Sequence, residues 1–233
     1  MTGIVLQSRL DSSRLPNKAL LPLDGKPLIF RVMEALNNVS ADIKILACPE
    51  DSFSSFEPLA KEAGFEILAG PKEDVLERFC QVIRHFSLKR VIRATGDNPF
   101  VFTDAAELIN KEAASLNADY AAYTALPYGS GVESVSADAL FTASKEAKSV
   151  FEREHVCPHL YNYGDIFSLH RPLAPLQWQY KDFRLTIDTP EDYENAKQLY
   201  TALNAKNDRY KGSTIISVYK EIFSKHPTYG DYF

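Results

Sequence analysis

No run of apolar residues in this 233-residue chain approaches the length that a membrane-spanning helix requires, so no membrane partner is expected. A basic excess is missing as well. Lys and Arg total 26 against 31 Asp and Glu, a formal charge of −5, and a polyanion such as nucleic acid needs a basic face to bind. Nucleic acid is therefore not an expected partner, while a local basic pocket for a small phosphate ligand stays compatible with the balance. The stretch from Met1 to Arg9 has no basic leader ahead of a long apolar run, so a secretory signal is not expected. Cysteine is scarce. Cys48, Cys80 and Cys157 are far apart and odd in number, which fits reduced thiols in a cytoplasmic protein, mostly buried as small hydrophobes. Repeats, low-complexity tracts and linkers are not found either, and one domain with a smaller inserted subdomain is the simplest organisation.

What is present is a globular composition, 45% hydrophobic and 24% charged, with enough length for a substantial core. The first hundred residues alternate short apolar runs with segments of helical period. Ile4 to Leu6 reads as a buried first strand, followed by a polar loop from Arg9 to Lys18. Pro27 suits the first position of a helix reaching about Asn37, because its missing N–H costs nothing there. Strands are expected at Ile43 to Cys48, Phe65 to Leu68 and Arg90 to Ala94; helices are expected at Ser52 to Ala63, capped by Gly64, and at Asp74 to Phe86. The remainder is less regular. It suggests strands near Tyr120 to Thr124, Phe167 and Phe183 to Ile187, and a bend at Gly129 to Gly131. Helices are expected at Ala137 to Lys148, Glu152 to Tyr161, Pro190 to Leu203 and from Ser213. This alternation predicts a mainly parallel sheet covered on both faces, with ligands beyond the carboxyl ends of the strands.

Two polar loops then fall at that same edge. The first, Gln7 to Lys18, carries Arg9, Arg14 and Lys18 with Ser12 and Ser13, donors suited to phosphate oxygens; a solvated charged loop is the plainer alternative. It lacks the spacing of a Walker loop. The second, Thr95 to Pro99, places Asp97 where it could meet a hard cation, although Gly-Asp-Asn-Pro is also a strong turn former on its own. Asp188 follows another apolar stretch, while Thr189 and Pro190 open a helix. A basic loop facing two acidic strand ends is what polarising a triphosphate demands. His155, Cys157 and His159 invite comparison with zinc ligands, but the His-Glu-x-x-His order is missing and Pro158 disturbs the helix; a polar cluster facing a second substrate fits better, and a satisfied, partly buried structural cluster fits nearly as well. Glu133 follows the glycine-rich bend and could contact that substrate or stand in solvent.

Six segments in order, 7–18, 21–28, 73–79, 93–99, 152–158 and 184–192, resemble the cytidylyltransferases of the spore-coat polysaccharide type. Acylneuraminate and 3-deoxy-manno-octulosonate cytidylyltransferases are more distant likenesses. The resemblance implies a three-layer α/β/α sandwich of glycosyltransferase-A type. Within it, a nucleotide-binding half would cover about 1–118, an acceptor-binding part 119–182 and a closing strand and helix 183–233. It implies transfer of CMP from CTP to a sugar or sugar acid with release of pyrophosphate, in surface polysaccharide or glycoconjugate synthesis. Arg14, Lys18 and Asp97 would be catalytic. Gln7, Ser8, Arg9, Leu10, Ser12, Ser13, Arg14, Lys18, Asp74, Arg78, Thr95 and Gly96 would bind nucleotide. Glu133, Glu154 and His155 would face the acceptor, and Asp97 with Asp188 would hold Mg2+. Homodimers are frequent in the family, an analogy only. Tyr128 and Gly131 stand where family members often carry aspartates. Rival readings are a glycosyltransferase, which typically carries an Asp-x-Asp motif not found at 97–99, and a degenerate nucleotide-sugar-binding protein.

Overall fold

The computed structural model describes residues 1–223. The end of the expected closing segment, 224–233, lies outside the described residues. A seven-stranded sheet forms the middle layer. Its strands are β1 (Thr2–Gln7), β4 (Ile43–Pro49), β5 (Glu66–Gly70), β6 (Arg90–Thr95), β7 (Tyr120–Ala121), β8 (Glu133–Ser136) and β9 (Leu169–His170), in the order β5-β4-β1-β6-β8-β7-β9. Pairings among β5, β4, β1 and β6 are parallel, as is β7 with β9, while β8 runs antiparallel to both its neighbours. The mainly parallel sheet read from the sequence is what forms.

Alternation along β1 divides the core. Ile4 and Leu6 join one buried cluster with α1 (Leu28–Leu36), α2 (Glu50–Ala63), α4 (Thr103–Ser115), α8 (Pro190–Leu203) and α9 (Gly212–Phe223). Val5 points the other way, into a cluster with α3 (Val75–Phe86), α5 (Ala137–Glu146) and, beyond the short α6 (Val150–His155), which buries none of its own residues, α7 (Pro158–Asn162). A period of two on the strand sends successive side chains to opposite layers, and helices cover both. All three cysteines are buried free thiols, as expected from their scarcity.

Several elements depart from the sequence reading, each for a local reason. Pro27 does not open α1. It closes a hairpin of β2 (Pro22–Leu23) and β3 (Lys26–Pro27), whose turn is Asp24-Gly25 with φ of 50° and 77°. Two successive positive φ values are the demand of a tight hairpin turn, which Asp-Gly meets. The helix expected at Glu152 to Tyr161 is broken into α6 and α7 at Val156, where φ is 72°, immediately before Cys157 and Pro158. Phe183 to Ile187 is extended but forms no strand of the sheet; a single bridge joins Arg184 to Tyr128. α4 and β8 were not anticipated. α4 buries only small or single residues, chiefly Ala105, Ala106, Ile109 and Ala113, and β8 reads Glu-Ser-Val-Ser, too short and polar to signal burial.

Candidate active site

β1 has β4 on one side and β6 on the other, so the chain's progress across the sheet reverses at β1. Loops leaving neighbouring strands at such a point diverge to opposite faces and open a crevice between them. Here they are the loop after Gln7 and the loop after Thr95, residues paired in register across β1 and β6. Gly96 donates its N–H to the Gln7 carbonyl at 2.8 Å. A Cβ on Gly96 would stand 2.5 Å from Ser8 Oγ, so only glycine lets the two loops start this close together.

A third segment is brought in by its backbone. Leu185 donates to the Tyr128 carbonyl at 2.8 Å and Ile187 to the Asp97 carbonyl at 2.9 Å. Gly129, with φ at +91°, makes room, because a Cβ there would lie 2.5 Å from the Thr186 nitrogen. Asp188 is thereby delivered beside Asp97 although they are far apart in the chain. Lys18 Nζ joins them, donating to Asp97 Oδ2 at 3.0 Å, Asp188 Oδ1 at 2.9 Å and the Ile187 carbonyl at 2.9 Å. Arg14 approaches the same Asp188 oxygen at 3.3 Å, and Arg184 donates to its other oxygen at 2.8 Å.

These residues border a cleft of about 650 Å³. Gln7, Ser8, Arg9, Ser12, Ser13, Arg14 and Lys18 line it, together with Arg78, Thr95, Gly96, Asp97 and Asp188. Glu133, Glu154 and His155 line it too, so acceptor-facing and phosphate-facing candidates share one cavity. Leu10 and Asp74 do not line it. Leu10 packs against the core, with its N–H on Ser52 Oγ at 3.2 Å. Asp74 caps α3 through the Glu77 N–H at 3.0 Å and pairs with Arg153 Nε at 2.7 Å. His155 faces the cleft, whereas His159 is buried between Glu152 and Glu146, and Cys157 is buried as well. No metal-holding group of three or more His, Cys, Asp or Glu side chains occurs among the described residues.

Sequence reasoning passed over Arg93. It sits on β6 opposite Glu133 in the antiparallel register, and its guanidinium donates to Glu133 Oε2 and, at 3.0 Å, to Gln7 Oε1. Tyr120 donates to the other Glu133 oxygen at 2.7 Å. Burial works against the Arg93 charge and the adjacent carboxylate outweighs it, so the guanidinium is held above its ordinary pKa; burial and the same carboxylate push the Tyr120 phenol up. The signals were a charged residue in the middle of an apolar strand and its place at the head of the 93–99 segment. Arg78 is another enclosed cation of the cleft. Its NH1 donates to the Pro71 carbonyl at 3.0 Å, while its Nε has no partner among the described residues, and burial lowers its pKa. At the mouth, Arg9 reaches Glu154 at 3.5 Å and Phe151 packs on His155.

A family model described as cytidylyltransferase matches residues 3–218. The chain belongs to the cytidylyltransferase family. This cytidylyltransferase, a nucleotidyltransferase by family, is 31% identical over 211 residues to the spore coat polysaccharide biosynthesis protein SpsF of Bacillus subtilis (strain 168), covering 88% of each chain. Its fold matches a cytidylyltransferase structure from Leptospira borgpetersenii serovar Hardjo-bovis (strain JB197) with a TM-score of 0.86 at 22% identity, covering 100% of this chain and 99% of that one. It also matches a CMP:2-keto-3-deoxy-manno-octonic acid synthetase complexed with CTP, with a TM-score of 0.67 at 19% identity, over 86% of this chain and 98% of that one. No described helix of the cytidylyltransferase is long and apolar enough to cross a membrane.

Proposed function

We propose that the enzyme transfers CMP from CTP to a sugar or sugar acid and releases pyrophosphate, with Mg2+ held by Asp97 and Asp188. The observation that carries this reading is the convergence of both aspartates on Lys18 beneath the basic loop. The donor set suits the ion. Magnesium takes one or two carboxylates and completes its octahedron with phosphate oxygens and water, and here two carboxylates stand together without a third protein ligand. Bound there, it would neutralise charge on the triphosphate oxygens.

The acceptor oxygen would attack the α-phosphorus in line, forming the new P–O bond as the bond to the bridging oxygen of pyrophosphate breaks. Arg9, Arg14 and Lys18 would screen the charge that gathers on the leaving oxygens, and the loop hydroxyls of Ser12 and Ser13 would fix the phosphates. Arg78, buried with an unpartnered Nε, has a donor to offer the acceptor atoms of a pyrimidine. Glu133 has both oxygens engaged, by Tyr120 and Arg93, so its effect on the acceptor would pass through Arg93. An acceptor that is already anionic needs no strong general base. The printed name of the SpsF relative supports a place in polysaccharide synthesis. A cytoplasmic location and a homodimer belong to the same proposal and rest on family analogy.

The test is pyrophosphate release with each of the four nucleoside triphosphates against a panel of sugars and sugar acids. Release with CTP that depends on both acceptor and Mg2+ is the expected result. Glycosyl transfer without pyrophosphate, or no turnover with any pair, would reject the reading.

A further inference from the structure

An ammonium group has three N–H donors. Those of Lys18 are all taken by the chain itself, on Asp97, Asp188 and the Ile187 carbonyl, each at 3.0 Å or less. In this arrangement Lys18 has nothing left to give a phosphate. It also stands in the space between the two carboxylates, where a divalent ion bound at about 2.1 Å from each oxygen would have to sit. Both cannot be there. Two close carboxylates need a counter-charge, and Lys18 provides it.

The remaining contacts show which partner can move. Asp188 is held without Lys18: Arg184 binds its Oδ2 at 2.8 Å, and its backbone N–H donates to Asp192 Oδ2 at 2.9 Å. Asp97 is fixed through its carbonyl, which accepts from Ile187. Lys18, in contrast, carries its charge on a flexible four-carbon stem. It stands on a short turn (Lys18–Leu20) at the end of the basic loop, after Asn17 in the left-handed region.

We propose that Lys18 is a resident counter-ion that must leave the Asp97–Asp188 pair before a divalent cation can enter it, and that the triphosphate is what it leaves to. Metal and nucleotide then raise each other's affinity by one common factor, because each removes the obstacle the other meets. This rests on the assignment of Asp97 and Asp188 as the metal ligands, and the experiment separates the two claims.

Free Mn2+ is counted by electron paramagnetic resonance during titration of the full chain, with no nucleotide present. Lys18→Gln should bind Mn2+ on the order of 5- to 100-fold more tightly than the unaltered chain, and Asp97→Asn added to it should abolish that binding. Lys18→Met repeats the test with an apolar stem of similar length. Arg14→Gln removes an equal charge near the same carboxylate and controls for the general field; its gain should be several-fold smaller. Equal gains from Lys18→Gln and Arg14→Gln, or no gain at position 18 while Asp97→Asn still abolishes binding, overturn the counter-ion role alone. Mn2+ binding that is indifferent to Asp97→Asn, or missing from Lys18→Gln, overturns the metal-site assignment and the counter-ion role with it.

Discussion

Asp97 and Asp188 lie 91 positions apart in the chain, yet each reaches the cleft for a reason written in its neighbours. Asp97 follows the apolar strand β6, and Asp188 follows a segment tied by its backbone to Tyr128 and Asp97. Asp97→Asn keeps the volume and removes the charge. It should lower turnover with CTP by at least about 10²-fold while the melting temperature barely moves. Steady-state pyrophosphate release alongside differential scanning fluorimetry checks this, and full turnover in a folded variant would end the assignment. That Arg9, Arg14 and Lys18 line one cleft was legible, because a polar loop leaving a buried strand at the carboxyl edge of a parallel sheet has to open there. Arg93 was not, since its importance comes from the Glu133 partner that β8 places opposite it, a pairing no local pattern announces.

At the scale of elements, strong periodicity was readable and weak burial was not. β1, β4 and α3 carry runs that only a core explains, and they stand within a residue or two of where the pattern put them. α4 and β8 bury small or alternate polar residues and left little trace. Phe183 to Ile187 carried a misleading one, since its apolar residues face the core from a segment that bonds to two loops instead of a strand. Gly129 is the pivot of that segment. Gly129→Ala should displace Thr186 and the approach to Asp188, costing about 1–3 kcal/mol of stability and most of the activity; an active, equally stable variant would show that the contact yields. α6 offers a pH test. Hydrogen bonds from the Ser149 hydroxyl and then the His159 ring hold the Glu152 carboxyl down at about 2. The unfolded carboxyl titrates near 4.3, so the unfolded chain takes up the proton first. Stability from this group is present above that value and is lost as pH falls toward 2. The gap in melting temperature between the unaltered chain and Glu152→Gln should therefore be full at pH 6 and narrow below about pH 4.5. A gap that is constant over this range would contradict the pairing.

For the whole molecule, strand order decides where chemistry can occur. The reversal at β1 opens one crevice at the carboxyl edge of the sheet, and the polar loops after β1 and β6 both empty into it. That much follows from alternating strands and helices, so the place of the cleft was readable before its geometry. The closing of 183–188 over the crevice was not, because it depends on tertiary hydrogen bonds between distant loops. The proposed function rests on the carboxylate pair formed there. Anomalous diffraction from crystals grown with Mn2+ and CTP tests it most directly. One manganese peak bonded to Asp97, Asp188 and the triphosphate, with Lys18 turned onto phosphate, is the expected result. A nucleotide bound with manganese elsewhere, and the two aspartates still closed on Lys18, would contradict it.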